Sequence, residues 1–300
     1  MLFTWHIEIY FKENSIKLLV CYDVVGDRGL KVSVVIRTKD KEKYFDSLLK
    51  NLALQTMRVS EVVVADNFSS KQQLQSLMDY LEDAKRKYFQ NRTIKLFPFS
   101  DNEFFSHAYS TNLAVSIAEN ELVCITNGHS LPTSLRWLQG GLKHFEDPWV
   151  AGVSGFFIPH EEGTVFGKGD AALYYLSQKI SAHPVWCSTI NCIIRKSLWE
   201  EYPFDEDLPR IIPETKEYGS EDYDWSREMA ARGFRIVIDP LFTVYHSHYE
   251  RVDEMSRNLK NYFLYRKLQQ KINSFPRPRH STSRVFGAKD VASRTIEVLA

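Results

Sequence analysis

Val32-Ser33-Val34-Val35-Ile36, running into Arg37-Thr38-Lys39-Asp40, is the stretch that decides the fold. The run is apolar and β-branched apart from one serine, and it is too short for a helix. Such a run is a strand buried on both faces. Tyr44 to Leu54 then carries Phe45, Leu48, Leu49 and Leu52 at helical spacing. Val62 to Ala65 is a second buried strand, and Leu74 to Phe89 a second amphipathic helix. Ile94 to Phe97, Tyr109 to Ala118 and Leu122 to Ile125 continue the series as strand, helix, strand. This alternation is the pattern of a mostly parallel sheet with helices on both faces, so the expected class is α/β.

In such a sheet ligands bind beyond the carboxyl ends of the strands. Those ends hold Arg37-Thr38-Lys39-Asp40, Asp66-Asn67-Phe68-Ser69-Ser70, residues 98–107 and Thr126-Asn127-Gly128-His129-Ser130. The sheet's own stability requires none of these polar side chains. No glycine follows the first strand, so the phosphate cradle of dinucleotide-binding and P-loop folds is absent. If a nucleotide binds here, side chains or a metal must hold its diphosphate.

Farther along, Gly219-Ser220-Glu221-Asp222-Tyr223-Asp224-Trp225 places three carboxylates at the head of a helix that Gly233 stops. Carboxylates are favoured at a helix N-terminus, so the cluster reads as an acidic cap or as the holder of a general base. Phe234 to Ile238 is a strand and Asp239-Pro240 a turn, after which His246-Ser247-His248 closes the region. Alternate residues of a strand share a face, which puts His246 and His248 on one side.

The totals bound the function. The chain has 300 residues, 44% hydrophobic and 25% charged, and a formal net charge of zero. That balance argues against bulk nucleic-acid binding, which needs an excess of Lys and Arg. Four cysteines without a CxxC pair suit a reducing compartment. The N-terminus carries charged residues where a signal peptide would be apolar, and no run is long and apolar enough to span a membrane.

From about Lys31 to Tyr249 the sequence resembles a family 2 glycosyltransferase with the GT-A fold, in its surface-polysaccharide, rhamnosyltransferase-like branch. The likeness is carried by Val32 to Thr38, Val62 to Ser69, Asn112, Cys124 to Pro132, Asn191 to Arg195, Pro203 to Glu206, Glu221-Asp222 and His246. It implies residues 1–29 as an extension of uncertain structure and 30–249 as the transferase domain. Within that domain, 30–132 would form the nucleotide-binding half and 133–249 the acceptor half. Residues 250–300 are left as a C-terminal helix and basic tail.

The resemblance further implies an inverting hexosyltransferase of cytoplasmic polysaccharide or glycoconjugate synthesis. Its partners would be a nucleoside-diphosphate sugar and a glycan or lipid-linked acceptor. Asp222, or Glu221, would be the catalytic base. Arg37, Thr38, Asp66, Asn67, Asn112 and Asn127 would line the nucleotide pocket, and Trp186 would be an exposed ring for the acceptor. One departure stands out. Where the family has a metal-binding Asp-x-Asp, this chain has Asn127-Gly128-His129, with no carboxylate. Mn2+ or Mg2+ therefore stays an open expectation, with His129 and His246 as its candidate ligands. Without the motif, two other readings stand beside the enzyme: a non-catalytic sugar-nucleotide or glycan binder, and a subunit of an assembly complex.

In the tail, Val252 to Ile272 reads as a helix with a basic face that either packs on the domain or lies on the inner membrane surface. Pro276 to Ser283 reads as a linker.

Overall fold

The computed structural model describes residues 6–12, 15–21, 30–100, 106–160, 186–246, 255–285 and 291–299. His248, named above, lies outside them. The chain divides into two compact units, residues 1–30 and 31–300. In the first, strands β1 (His6–Lys12) and β2 (Ser15–Cys21) form an antiparallel hairpin with His6 opposite Cys21.

The second unit is built on a mixed sheet. Its strands are β3 (Val32–Thr38), β4 (Glu61–Phe68), β5 (Thr93–Ser100), β6 (Leu122–Asn127), β8 (Val150–Ser154), β10 (Asn191–Arg195), β11 (Arg235–Ile238) and β13 (Ile296–Glu297). Their spatial order is β11-β8-β10-β6-β3-β4-β5-β13. The pairs β3–β4, β4–β5 and β3–β6 are parallel. β10 runs antiparallel to both β6 and β8, and β13 antiparallel to β5. A second, small sheet holds β7 (Leu131–Pro132), β12 (Val244–Tyr245) and β9 (Phe157–Ile158).

The helices are α1 (Phe45–Ala53), α2 (Lys71–Tyr88), α3 (His107–Ile117), α4 (Trp137–Leu142), α5 (Lys196–Glu201), α6 (Leu208–Ile211), α7 (Thr215–Tyr218), α8 (Glu221–Ala231), α9 (Met255–Asn273) and α10 (Val291–Arg294). The sequence places α2 and α3 a few residues late. Ser70 and Ser106 cap them, accepting the N–H groups of Gln73 at 3.2 Å and Tyr109 at 3.0 Å. Those hydroxyls draw polar residues into helix before the apolar spacing begins.

Val32, Val34, Val35 and Ile36 are fully buried, as a strand covered on both faces requires. One core layer joins Val35, Val63, Ile125 and Phe97 to Leu113 of α3 and to Trp225 and Met229 of α8. At the amino ends of the strands Ser33 Oγ donates to Glu61 at 2.5 Å, and Lys95 pairs with the same carboxylate at 2.6 Å.

The C-terminal region bears on two expectations and corrects one of them, the linker. Helix α9 turns Leu268 and Ile272 inward onto Leu208, Ile212 and Tyr223. These residues pack on the domain, one of the two arrangements expected, while Arg266, Lys267 and Lys271 face solvent. The stretch expected to be a linker is docked. Arg277 reaches Asp224 at 2.6 Å and Glu228 at 2.9 Å, both fully buried. Arg279 bridges Asp224 at 2.9 Å and Asp205 at 3.0 Å. Its charges, which look like a solvated tail in sequence, neutralise carboxylates inside α8. Arg277→Ala leaves Asp224 with Arg279 and Glu228 with Arg232, and should cost about 2 kcal/mol, the usual worth of a hydrogen bond to a charged group, read as a fall in the urea midpoint.

Candidate active site

The strand ends and the head of α8 are joined by a continuous chain of polar contacts. Arg37, at the end of β3, donates to Thr111 Oγ1 on α3 at 2.9 Å and to Asn127 Oδ1 at the end of β6 at 2.8 Å. It also donates to the Thr189 carbonyl at 3.1 Å. The Thr189 N–H in turn donates to Asp222 Oδ2 at 3.2 Å, and the Tyr223 N–H donates to the other oxygen at 2.7 Å. Arg37 and Asp222 thus hold the two polar groups of one peptide residue.

The entry to α8 is made by an unusual backbone. Gly219 has φ +70°, and Ser220, a residue with a side chain, sits at φ +91°. Positive φ outside glycine stores strain and recurs at functional sites. The bend delivers Glu221 and Asp222 together into a buried position, at 5% and 9% exposure. Burial and the neighbouring Glu221 charge push Asp222 up to about 7, against the pull of two backbone N–H groups and of Arg37. Glu221 is also raised, chiefly by burial, with Arg37 acting the other way. Burial lowers Arg37, and the two carboxylates oppose that shift.

A second cluster lies one step along β6. His129 Nδ1 is 2.6 Å from Glu42 Oε1, and Thr38 Oγ1 donates to the other Glu42 oxygen at 3.1 Å. The His129 and His246 rings stand 4.5 Å apart, with His246 Nδ1 3.0 Å from Ser130 Oγ. His160 Nε2 meets the His129 carbonyl at 3.1 Å, and its ring stacks on Tyr44 at 3.8 Å. His129 and His246 are therefore together, as the sequence suggests. Among the described residues no three His, Cys, Asp or Glu side chains are grouped so as to hold an ion.

The remaining expected residues divide. Thr38 and Asn127 belong to this network, and Asn67 is half-buried at the end of β4. Asp66 is fully buried and accepts the Asp40 N–H at 3.0 Å, while Asp40 accepts the Ser69 N–H at 2.7 Å. It pins the loop in which Asp40 and Lys41 adopt φ +54° and +53°. Asn112 is not at the crevice. Its amide donates to the Phe204 carbonyl and to Glu206, both at 2.8 Å, and its oxygen accepts from Trp199 Nε1 at 2.8 Å. A buried amide with those partners holds helices together and has no capacity to spare for a ribose. Trp186 is half-buried, its ring edge-on to Tyr223 at 5.7 Å, and so is not an open platform for a sugar.

Sequence reading misses Glu42, Thr111, Thr189 and His160. No spacing in the chain ties Glu42 to a strand end 87 residues away. Beside Glu221 a cavity of about 170 Å3 opens, bounded also by His107, Asp205, Arg210, Lys216 and Arg284.

The family model for glycosyl transferase family 2 matches residues 33–199, more than half of the chain. The chain belongs to glycosyl transferase family 2. Its structure is similar to that of the mannosyltransferase PcManGT from Pyrobaculum calidifontis in complex with GDP-Man and Mn2+. That match has 19% identity and a TM-score of 0.59, over 86% of this chain and 69% of that one. It is similar to glucosyl-3-phosphoglycerate synthase from Mycobacterium tuberculosis with Mn2+, UDP and phosphoglyceric acid, at 14% identity and a TM-score of 0.51, over 83% and 80%. It is also similar to residues 1–349 of S. aureus TarS with UDP-GlcNAc, at 19% identity and a TM-score of 0.51, over 80% and 65%. At such identities the likeness is one of fold. No curated protein matches the sequence. This family 2 glycosyltransferase keeps the mostly parallel α/β sheet expected of it.

The raised Asp222 makes stability pH-dependent. The folded state holds the Asp222 proton up to about pH 7, whereas an ordinary aspartate releases it near 3.8. Between those values the native state binds more protons than the unfolded one, so stability from this group falls as pH rises. Asp222→Asn removes the effect. Urea melts at pH 5 and pH 8 should show the wild type losing more stability over that interval than the variant.

Proposed function

We propose that this family 2 glycosyltransferase moves a sugar from a nucleoside-diphosphate sugar to an acceptor hydroxyl with inversion, in glycan or glycoconjugate synthesis. The observation that carries the reading is Asp222. It is a buried carboxylate brought to about 7, fixed by two backbone N–H groups and joined through Thr189 to Arg37. A base works best with a pKa near the operating pH. The donor class is supported by the relatives solved with GDP-Man, UDP and UDP-GlcNAc.

The acceptor oxygen attacks the anomeric carbon as the bond from that carbon to the phosphate oxygen breaks. Asp222 takes the acceptor proton, and the nucleoside diphosphate leaves with the bonding pair. No enzyme nucleophile is needed, unlike retaining hydrolysis with its second carboxylate. In this reading Arg37, held in place by Thr111, Asn127 and Thr189, supplies positive charge to steady the leaving group. Glu221 keeps Asp222 basic by repulsion and lines the cavity, which we assign to the acceptor.

His129 and His246 would meet a cation on the diphosphate. Imidazole donors suit Mn2+ better than Mg2+, and such an ion would neutralise phosphate charge. In this reading Asp66 and Asn67 face the nucleoside side, with Asp66 acting through the 39–41 loop that it pins.

Turnover of a nucleotide-sugar panel should rise with pH through about 7 as Asp222 loses its proton. Asp222→Asn should keep nucleotide affinity and lose roughly two to four orders of magnitude in kcat, the usual worth of a general base. Retained turnover in that variant would remove Asp222 from the role. Nucleotide binding by the wild type without turnover would favour the non-catalytic reading.

A further inference from the structure

We infer that Glu42 is the positioning residue for His129, supplying from the β3–α1 loop the carboxylate that the β6 loop lacks. The inference rests on the transferase reading in one respect: it takes a diphosphate as the group that His129 meets.

Three observations carry it. The first is the contact. Glu42 Oε1 lies 2.6 Å from His129 Nδ1, both side chains being half-buried. An ionised glutamate only accepts hydrogen bonds, so the proton between them sits on Nδ1. Whatever His129 does for a ligand, it then does through Nε2, as a lone pair on a cation or as an N–H toward a phosphate oxygen. A carboxylate behind an imidazole is the usual device for fixing that orientation.

The second is that Glu42 is itself held. Thr38 Oγ1 donates to its other oxygen at 3.1 Å, so both carboxylate oxygens are engaged. In this inference Glu42, itself anchored, acts on the ligand through His129.

The third is the space it fills. A Cβ at Gly128 would lie 2.4 Å from Glu42 Oε2, 2.4 Å from Thr38 Oγ1 and 2.8 Å from Thr38 Cβ. Real Cβ atoms do not approach so closely. The glycine between Asn127 and His129 therefore leaves the volume into which the Glu42 carboxylate fits. The missing Asp-x-Asp and the presence of Glu42 become one arrangement. A carboxylate on β6 has been replaced by a glycine, an imidazole and a carboxylate reaching across from β3.

Calorimetry with pyrophosphate as probe, with Mn2+ and separately in EDTA, tests this on the full chain. Glu42→Gln should weaken binding by about 10- to 100-fold in at least one arm, the usual effect of losing such a support. The arm affected tells whether His129 acts on a cation or on the phosphate itself. His129→Ala should weaken binding at least as much, and the double variant no further than His129→Ala, because Glu42 acts only through His129. Nitrogen-15 NMR should show His129 as the Nδ1–H tautomer in the wild type and a mixture in Glu42→Gln. Gly128→Ala, which displaces the carboxylate from outside, should reproduce the Glu42→Gln result and serves if that variant does not fold.

Unchanged binding in Glu42→Gln, losses that multiply in the double variant, or an Nε2–H tautomer in the wild type would each overturn the inference while leaving the transferase reading intact. A wild type that binds pyrophosphate in neither arm and turns over no nucleotide sugar would overturn both.

Discussion

Three carboxylates within four residues must be taken out of water at the head of α8, and the structure is arranged around that cost. Glu221, Asp222 and Asp224 are all buried. An isolated buried carboxylate is costly by several kcal/mol and survives only with partners. The solution is two-sided. On the crevice side, Arg37 and two backbone N–H groups face Asp222. On the far side, Arg277, Arg279 and Tyr202 neutralise Asp224, with Tyr202 Oη donating at 2.6 Å. The pairs differ in completeness. Asp224 is surrounded by positive charge, and Asp222 is left with a like-charged neighbour and one distant cation. That inequality leaves two carboxylates on the same helix turn in opposite environments, one neutralised and one raised.

The two ends of the sheet follow the same logic. At the amino ends, Glu61 is closed off by Ser33, Lys95 and the N–H of Glu119, a satisfied buried cluster that ties strands to a helix end. At the carboxyl ends, the polar groups are organised around loops: Asp66 on Asp40, Glu42 on His129, Arg37 on Thr189. Both poles hold buried polar residues, Glu61 at one and Asp66 at the other. Only those at the carboxyl pole combine raised carboxylates, strained backbone and adjacent imidazoles, the combination expected of a reactive crevice.

Much of this was legible in the chain. Val32 to Ile36 and Val62 to Ala65 announce doubly covered strands because a parallel sheet leaves them no wet face. The helix headed by Glu221-Asp222 was legible because acidic residues at a glycine-led helix start are locally visible. What escaped depends on long-range pairing. Asn112 is expected to line the nucleotide pocket, yet it is an internal brace, since its partners Trp199, Phe204 and Glu206 lie some ninety residues on. Pro276 to Ser283 reads as a linker because proline, arginine and serine carry no periodicity, although its arginines are spaced to meet Asp224, Glu228 and Asp205. Glu42 carries no local signal at all. The hole that receives it is written as a glycine far downstream.

The docked tail sets an order of assembly. As the chain leaves the ribosome, β3 to β6 and α8 emerge while Asp224 and Glu228 still lack the arginines that neutralise them. Until residue 279 has appeared, the helix bearing Asp222 has no stable place in the core, and the α/β layers can assemble only around an unfinished centre. The helix bearing Asp222 therefore settles late, once residues 277–279 are present, and β13 closes the sheet edge at β5 after it.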